Sequence, residues 1–252
     1  MIPIKDNIPN GRFPFVTVAL ILTNVIVYLL SIRHGGSLIG GPDAQELVKY
    51  GATPYALTHP GVHCGQVSAT ELGCGSGVSG LPAWQTVFTS MFMHASILHL
   101  GGNMLFLWIF GNSVEDAMGP IRFVVFYLLG GVAALGLQVA VGPNTLEPTV
   151  GASGAIAAVL GGYIVLHPRA RILTLVLVIF FFWVIELPAL VMLGIWFVQQ
   201  AVFGAVGLTS PGNAGAGVAY FAHVGGFAFG LLTIRLVVTR RKPTPPTRSA
   251  YP

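Results

Sequence analysis

Long apolar runs, separated by short polar segments, dominate the pattern along the chain. A membrane-spanning helix needs about 20 mostly apolar residues. Six runs approach or exceed that length: residues 15–32, 91–110, 121–141, 152–166, 188–206 and 218–238. The fifth is taken to begin at Pro188, because proline disfavours a helical conformation in the residue before it. The pattern predicts an all-α membrane protein, a bundle of six transmembrane helices.

A further apolar stretch, residues 172–185, lies between the fourth and fifth runs. Joined to the fifth run it would be too long for one ordinary span, and Glu186-Leu187-Pro188 interrupts the join. We therefore predict that this stretch lies at the membrane interface or dips into it.

The composition also favours a lipid environment. Hydrophobic residues make up 54% of the chain and charged residues only 8%, whereas soluble domains carry roughly 25% charged residues. Lys5 and Arg12 precede the first apolar run, as positive charges precede the core of a signal peptide. That run is longer than a signal-peptide core, however, and no small-x-small cleavage site follows it. We expect a retained helix.

The positive charges favour one orientation in the membrane. Six spans place both termini on one side, and ten of the twelve Lys and Arg residues then fall on that side. This excess predicts that the segment 1–14 and the basic, Pro-rich tail 239–252 are both cytoplasmic. We expect a multi-pass protein of the bacterial inner membrane. Because the bias accounts for the net charge of +4, we expect no nucleic-acid partner.

The one long polar segment, residues 33–82, is predicted to form an exterior loop between the first and second helices. It contains both cysteines, Cys64 and Cys74, in a compartment where disulfides persist. We predict that the two cysteines form a bridge. His59 and His63 near the two thiols suggest a metal site instead, but that pattern is weaker than the disulfide.

Polar side chains cluster near the start of three predicted helices. His94, His99 and Asn103 belong to the second run, Ser153 to the fourth and His223 to the sixth. These three helices run in the same direction, so the five side chains should meet at a similar depth in the outer half of the membrane. Ionisable groups inside a membrane are costly, face the protein interior and mark functional sites.

Ser153 is flanked by glycines at the start of its predicted helix, in the sequence Gly151-Ala152-Ser153-Gly154. Glycines let a substrate or a neighbouring helix approach closely. The backbone N–H of Ser153 has no partner within the helix and could bind a developing oxyanion. On its own, this motif more often marks close helix packing.

His223 is the base that such a serine would require. A serine hydroxyl becomes an effective nucleophile when a base accepts its proton, and neutral imidazole is the usual base. Gly226 and Gly230 form a G-x-x-x-G pair, which predicts close packing of the sixth helix against a neighbour. If that neighbour is the fourth helix, His223 comes within reach of Ser153. The alternative is a histidine that only hydrogen-bonds between helices.

His99 and Asn103 are four residues apart and share one helix face. Their side-chain donors, together with the Ser153 amide, would form an oxyanion hole, while His94 orders water or supports the exterior loop. A zinc site built from His94, His99 and His223 is the competing interpretation. No buried carboxylate is evident to support such a site, so we predict neither a metal nor another cofactor.

Three motifs, in this order, resemble those of the rhomboid intramembrane serine proteases, and the resemblance covers about residues 15–238. They are His94-Ala-Ser-Ile-Leu-His99-Leu-Gly-Gly-Asn103, Gly151-Ala-Ser153-Gly154 and Ala222-His223-Val-Gly-Gly226-Phe-Ala-Phe-Gly230. The resemblance implies a six-helix core with Ser153 as nucleophile and His223 as general base. It further implies that His99, Asn103 and the Ser153 amide hold the oxyanion, and that the substrates are transmembrane segments of other proteins.

Two positions depart from the family pattern. Many members have Trp-Arg before the second helix, whereas this chain has Trp84-Gln85, so an ion pair in the exterior loop is expected to be missing. Many members also have an aromatic residue four positions after the nucleophile, where it packs against the catalytic histidine. This chain has Ala157 there. The candidates to replace the ring are Phe221, Phe227 and Phe229.

Two other functional classes compete with an active peptidase. A catalytically idle relative that binds transmembrane clients would usually lack the serine or the histidine, and both are present. A small transporter or channel would show internal repeats or intramembrane carboxylates, and the sequence has no convincing repeat. The leading prediction is an intramembrane peptidase that acts within the lipid bilayer.

Overall fold

A computed structural model gives the fold and describes residues 1–67, 71–178, 181–209 and 218–238. The helices are α1 (Phe15–Ser31), α2 (Ala44–Tyr50), α3 (Pro54–Thr58), α4 (Ala83–Thr89), α5 (Ile97–Phe106), α6 (Asn112–Met118), α7 (Pro120–Val141), α8 (Ser153–Leu166), α9 (Ala189–Thr209) and α10 (Tyr220–Val237). A 3₁₀ turn at Ser90–Phe92 precedes α5, and a π-helical turn at Leu107–Gly111 joins α5 to α6. The predicted tail, residues 239–252, lies outside the described residues.

The architecture is mostly helical, and several helices suit a membrane. Among the described residues, four helices are long and apolar enough to span one, namely α7, α9, α10 and the continuous helix Ile97–Met118. Two further apolar helices are shorter, α1 with 17 residues and α8 with 14. The chain is therefore a multi-pass membrane protein, and the count of six spans stays a prediction.

The start of the second predicted span is wrong. The helix begins at Ile97, six residues later than expected, because Ser96 caps it by accepting a hydrogen bond from the His99 backbone N–H. His94 therefore precedes the helix instead of lying on it. The run 91–110 extends across this cap, so the run alone does not mark the boundary.

The expectation of an all-α fold is also wrong in part, because two small sheets are present. The stretch 172–185 lies in an antiparallel hairpin of β4 (Arg171–Val178) and β5 (Phe181–Pro188), and β1 (Ile2–Asp6) pairs antiparallel with β4. The β-branched and aromatic residues of this stretch favour strands, but a continuous apolar run does not distinguish a strand from a buried helix. Its place at the membrane interface stays a prediction.

The second sheet lies in the segment between α1 and α4. Strands β2 (His63–Gln66) and β3 (Leu72–Gly75) form an antiparallel hairpin, and Cys64 lies directly opposite Cys74. A disulfide joins the two cysteines. Helices α2 and α3 belong to the same segment, so much of the predicted exterior loop has regular structure.

Helix α8 lies at the centre of the fold and packs against α10 at backbone distance. Eleven of the 14 residues of α8 are buried. A Cβ atom added to Gly226 would overlap the carbonyl oxygen of Gly154, and one added to Gly230 would overlap the carbonyl oxygen of Ala158. Helix α8 is therefore the packing partner of the G-x-x-x-G pair, and only glycine permits so close an approach.

Glu115 ties the start of α1 to the end of the long helix Ile97–Met118. Its carboxylate accepts hydrogen bonds from the backbone N–H of Val16 at 2.9 Å and of Thr17 at 2.7 Å. The Thr17 hydroxyl donates a third bond at 2.8 Å. The carboxylate thus satisfies backbone donors that the first turn of a helix leaves free.

Candidate active site

Ser153 is the first residue of α8 and follows a sharp backbone turn. Gly151, two residues earlier, has φ +124, a conformation that residues with a side chain rarely adopt. The Gly151 N–H donates a hydrogen bond to the carbonyl oxygen of Ser90 at 2.9 Å. The turn is therefore anchored to the segment before α5, and it sets the direction in which α8 begins.

His223 lies in the first turn of α10, beside the start of α8. Its Nε2 atom is 2.8 Å from Ser153 Oγ, within hydrogen-bond distance. The close α8–α10 packing at Gly226 lies three residues further along α10 and brings the two helix starts together. The structure thus joins the serine and the histidine that the sequence places 70 residues apart.

The other side of the His223 ring faces α9. Its Nδ1 atom is 2.7 Å from Oε1 of Gln200, and the ring of Trp196 lies 5.7 Å from the imidazole at an angle of 36°. Phe227, one of the three predicted replacements for the missing ring, packs behind Trp196 at 6.3 Å. An aromatic ring that packs on His223 therefore comes from Trp196 of α9, which is not one of the three phenylalanines offered as replacements.

His94 and Asn103 form a hydrogen-bonded pair next to α5. The Asn103 amide nitrogen donates to His94 Nε2 at 2.9 Å, and His94 Nδ1 contacts the carbonyl oxygen of Phe92 at 3.3 Å. His94 is fully buried and Asn103 is 8% exposed. Both ring nitrogens of His94 thus have partners, and the ring fixes the orientation of the Asn103 amide.

His99 lies between this pair and the start of α8. Its ring contacts the His94 ring edge-on, with centroids 5.0 Å apart. A Cβ atom added to Gly151 would come within 2.8 Å of His99 Nε2 and Cε1, so the imidazole rests directly against the glycine. Two features therefore disfavour any residue other than glycine at position 151: the positive φ and the contact with His99.

Several of these side chains line one cavity of about 580 Å³. Its walls include His99, Asn103, Ser153, Trp196 and His223. His94 lies behind the wall, where it supports Asn103. The convergence of polar groups from α5, α8 and α10 that the sequence predicts is present in the structure.

Within the part of the chain that the structure describes, no group of three or more His, Cys, Asp and Glu side chains could hold a metal ion. His94 uses both ring nitrogens in hydrogen bonds to Asn103 and Phe92, and His223 contacts Ser153 and Gln200. The geometry thus arranges these imidazoles for hydrogen bonding.

In comparison with protein families, the model of the Rhomboid domain matches residues 82–240. The matched region is more than half of the chain. It begins just before α4 and contains every residue of the cavity wall described above.

Individual relatives are similar to parts of the chain. The chain is 28% identical to the rhomboid protease GluP of Bacillus subtilis over 166 residues, which cover 65% of this chain and 27% of that protein. It is 31% identical to the mitochondrial Rhomboid protein 1 of Saccharomyces cerevisiae over 153 residues, 58% of this chain and 40% of that protein.

A third relative is the mitochondrial presenilin-associated rhomboid-like protein of Mus musculus. It is 35% identical over 95 residues, which cover 37% of this chain and 25% of that protein. The chain therefore spans between a quarter and two fifths of the length of these three relatives.

Proposed function

The chain belongs to the rhomboid family, and on that premise we propose that it is an intramembrane serine endopeptidase that cleaves transmembrane segments of other membrane proteins. Ser153 is the nucleophile and His223 the general base. The observation that carries the proposal is the 2.8 Å contact between Ser153 Oγ and His223 Nε2 at the wall of the cavity.

In the proposed reaction, Ser153 Oγ attacks the carbonyl carbon of the scissile peptide bond while its proton passes to His223 Nε2. The imidazolium then gives that proton to the leaving amine as the C–N bond breaks. A water molecule, deprotonated by the same nitrogen, attacks the acyl-enzyme and releases the new carboxylic acid. Ser153 recovers its proton, so each step uses only the two side chains and water.

The oxyanion of the tetrahedral intermediate is assigned to the Ser153 backbone N–H and to the side chains of His99 and Asn103. The bond from Asn103 to His94 supports this role, because it uses one N–H of the amide and holds the other in a fixed direction. The contact of His99 with Gly151 keeps its ring beside the nucleophile. Loss of one such donor is expected to lower the rate by about 10²–10³.

The proposal includes an orientation in the membrane. Residues 15–238 would form the membrane domain, with residues 33–82 on the exterior side and both termini in the cytoplasm of a bacterium. The excess of Lys and Arg on one side of the predicted spans supports this arrangement. A substrate helix must unwind before its backbone reaches Ser153, so segments with Gly, Ala, Ser or Pro near the outer end are the expected substrates.

A fluorophosphonate probe tests the nucleophile directly, because it phosphonylates an activated serine with loss of fluoride. The purified protein is treated in detergent and its mass and peptides are measured. We expect one adduct, on Ser153, that is lost in Ser153→Ala and forms about 10²–10⁴-fold more slowly in His223→Ala. Ser31→Ala, which removes a buried serine on α1, serves as the matched control and should label like the wild type.

The alternative function, an idle rhomboid-like protein that binds transmembrane clients, predicts a different result. A folded wild-type protein would then remain unlabelled over the full range of probe concentration, as Ser153→Ala does. Equal labelling of wild type and His223→Ala would also contradict the proposed base.

A further inference from the structure

Gln200 is a buried amide on α9, a helix without a charged residue. Its side chain is only 7% exposed, and the burial of an amide is unfavourable unless its polar atoms are hydrogen-bonded. Its Oε1 atom meets this requirement at His223 Nδ1, at 2.7 Å. The neighbouring Gln199 is exposed, so the two adjacent glutamines lie in different environments.

The contact determines which ring nitrogen of His223 carries the proton. A neutral imidazole has one N–H and one acceptor nitrogen. An amide oxygen can only accept, so the bond to Gln200 Oε1 requires the proton on Nδ1. The Nε2 atom is then unprotonated and accepts the hydrogen bond from the Ser153 hydroxyl. This is the tautomer that a general base needs, and the other tautomer would direct an N–H at Ser153.

The same helix also limits rotation of the imidazole. Trp196 is four residues before Gln200, so the two side chains share one face of α9. The Trp196 ring packs on the imidazole at 5.7 Å, while Gln200 holds the edge at Nδ1. Rotation about the Cβ–Cγ bond of His223 would break the Gln200 bond and the Ser153 contact together.

We propose that Gln200 is a positioning residue that fixes the orientation and the tautomer of His223. This role rests on the proposed function, and it places one requirement for the reaction on α9, a helix that carries neither the nucleophile nor the base. A bond that only strengthens helix packing would affect stability, whereas a bond that selects the tautomer affects the rate of reaction and its dependence on pH.

The test compares kcat/KM for a single-span model substrate in liposomes, over a range of pH, for wild type and three variants. Gln200→Met keeps the size of the side chain and removes the acceptor. Gln200→Glu keeps an acceptor oxygen at the same place. Gln199→Met makes the same change at the exposed neighbour and is the matched control. Thermal unfolding of each variant shows whether it is folded.

We expect Gln200→Met to lower kcat/KM by about 10- to 100-fold, mainly through kcat, as for other residues that orient a reacting group. Gln200→Glu should retain most of the activity at high pH. Its acid limb should move upward by about one pH unit, because a carboxylate stabilises the imidazolium and loses its acceptor role when protonated. Gln199→Met should match the wild type at every pH.

Wild-type kcat for a folded Gln200→Met, or a Gln200→Glu profile that coincides with the wild-type profile, would overturn this inference and leave the Ser153–His223 dyad standing. An inactive wild type would contradict the proposed function itself, and the role of Gln200 with it. The two failures are therefore distinguishable.

Discussion

At the residue scale, the contact between α8 and α10 leaves no room for a methyl group. Gly230 faces the carbonyl oxygen of Ala158 so closely that a Cβ atom would overlap it. Backbone atoms cannot move aside as a flexible side chain can, so the helices would have to separate.

Gly230→Ala is therefore expected to lower the free energy of unfolding by about 2 kcal/mol or more, measured by thermal or denaturant unfolding in micelles. Gly136→Ala is the matched control, because Gly136 lies on the apolar helix α7 with no atom within 4 Å of an added Cβ. Equal effects of the two substitutions would contradict the close packing of α8 and α10.

His167 gives a second prediction, one that depends on pH. It follows the end of α8, its ring packs on Tyr163 at 5.1 Å, and its Nε2 atom is buried without a partner among the described residues. Burial lowers the pKa of His167 from 6.5 to about 4, although Asp116 acts in the opposite direction. Between these two pH values the unfolded chain binds the proton more readily than the folded protein.

The contribution of neutral His167 to stability is therefore complete above about pH 6.5 and is lost as the pH falls towards 4. His167→Phe keeps a ring against Tyr163 and removes the titrating group. We expect the melting temperature of the variant to fall less than that of the wild type between pH 7.5 and pH 5. Parallel melting curves of the two proteins over this range would contradict the prediction.

Only some members of the candidate site could be predicted from the sequence. Ser153 and His223 could be predicted because short motifs surround each of them and the predicted helices share a direction. Gln200 could not be assigned a role, since an amide on an apolar helix does not show which face it occupies. The spacing of Trp196 and Gln200, four residues apart, is the only signal that connects them. His94 was placed on the wrong side of a helix start, because Ser96 is an inconspicuous cap.

At the scale of elements, α1 depends on a residue that lies far from it in sequence. Glu115 accepts three hydrogen bonds from Val16 and Thr17 at the start of α1. Glu115→Ala removes all three acceptor contacts and leaves buried donors unpaired.

Glu115→Ala is expected to lower the free energy of unfolding by about 3 kcal/mol, since bonds to a charged group are stronger than neutral ones. Asp116→Ala is the neighbouring control, because Asp116 accepts one bond, from the Gly11 N–H at 3.2 Å near the surface. Denaturant unfolding of both variants checks the difference, and a smaller loss for Glu115→Ala than for Asp116→Ala would refute the capping role.

The β4–β5 hairpin leads to another prediction. It directly follows the end of α8 and directly precedes α9, and its outer part exposes apolar side chains. They are Leu177, Phe181, Phe182 and Trp183. Aromatic residues favour the boundary between lipid and water. The backbone N–H and C=O groups at an open sheet edge are unfavourable in the hydrocarbon core, where no water is present to bind them. We expect the hairpin to lie at the membrane interface.

A spin label at Phe182→Cys in liposomes tests this location. Collisions with oxygen should exceed those with a water-soluble nickel chelate, as they do for a site in contact with lipid. A label at Glu71→Cys, an exposed position in the segment between α1 and α4, should show the reverse order. Equal access of the nickel chelate to both labels would place the hairpin in water.

The hairpin also shows that hydrophobicity alone does not predict whether an apolar run forms a helix or a strand. Helices α7 and α10 agree with their apolar runs to within two residues, because a span must be apolar along its whole length. The stretch 172–185 is apolar as well, but it forms the β4–β5 hairpin, and β4 also pairs with β1, about 170 residues earlier in the chain. Such a partner leaves no mark on the local pattern.

At the scale of the whole molecule, the fold brings the starts of α8 and α10 and the middle of α9 to one cavity. Helix α8 supplies Ser153, α10 supplies His223, and α9 supplies the side chains that hold the histidine. The family, the multi-pass character and the mostly helical fold could be predicted from motifs and apolar runs. The number of spans could not be fixed in the same way, since α1 and α8 are shorter than an ordinary membrane helix.

Ser153 and His223 are proposed to cleave a transmembrane substrate. The most direct measurement is cleavage of a single-span protein with a Gly- and Ala-rich outer end, reconstituted in liposomes with wild type, Ser153→Ala, His223→Ala or the control Ser31→Ala. We predict product from the wild type and Ser31→Ala, and none from the two site variants. Cleavage that persists in purified Ser153→Ala would contradict the proposed role of Ser153 as nucleophile.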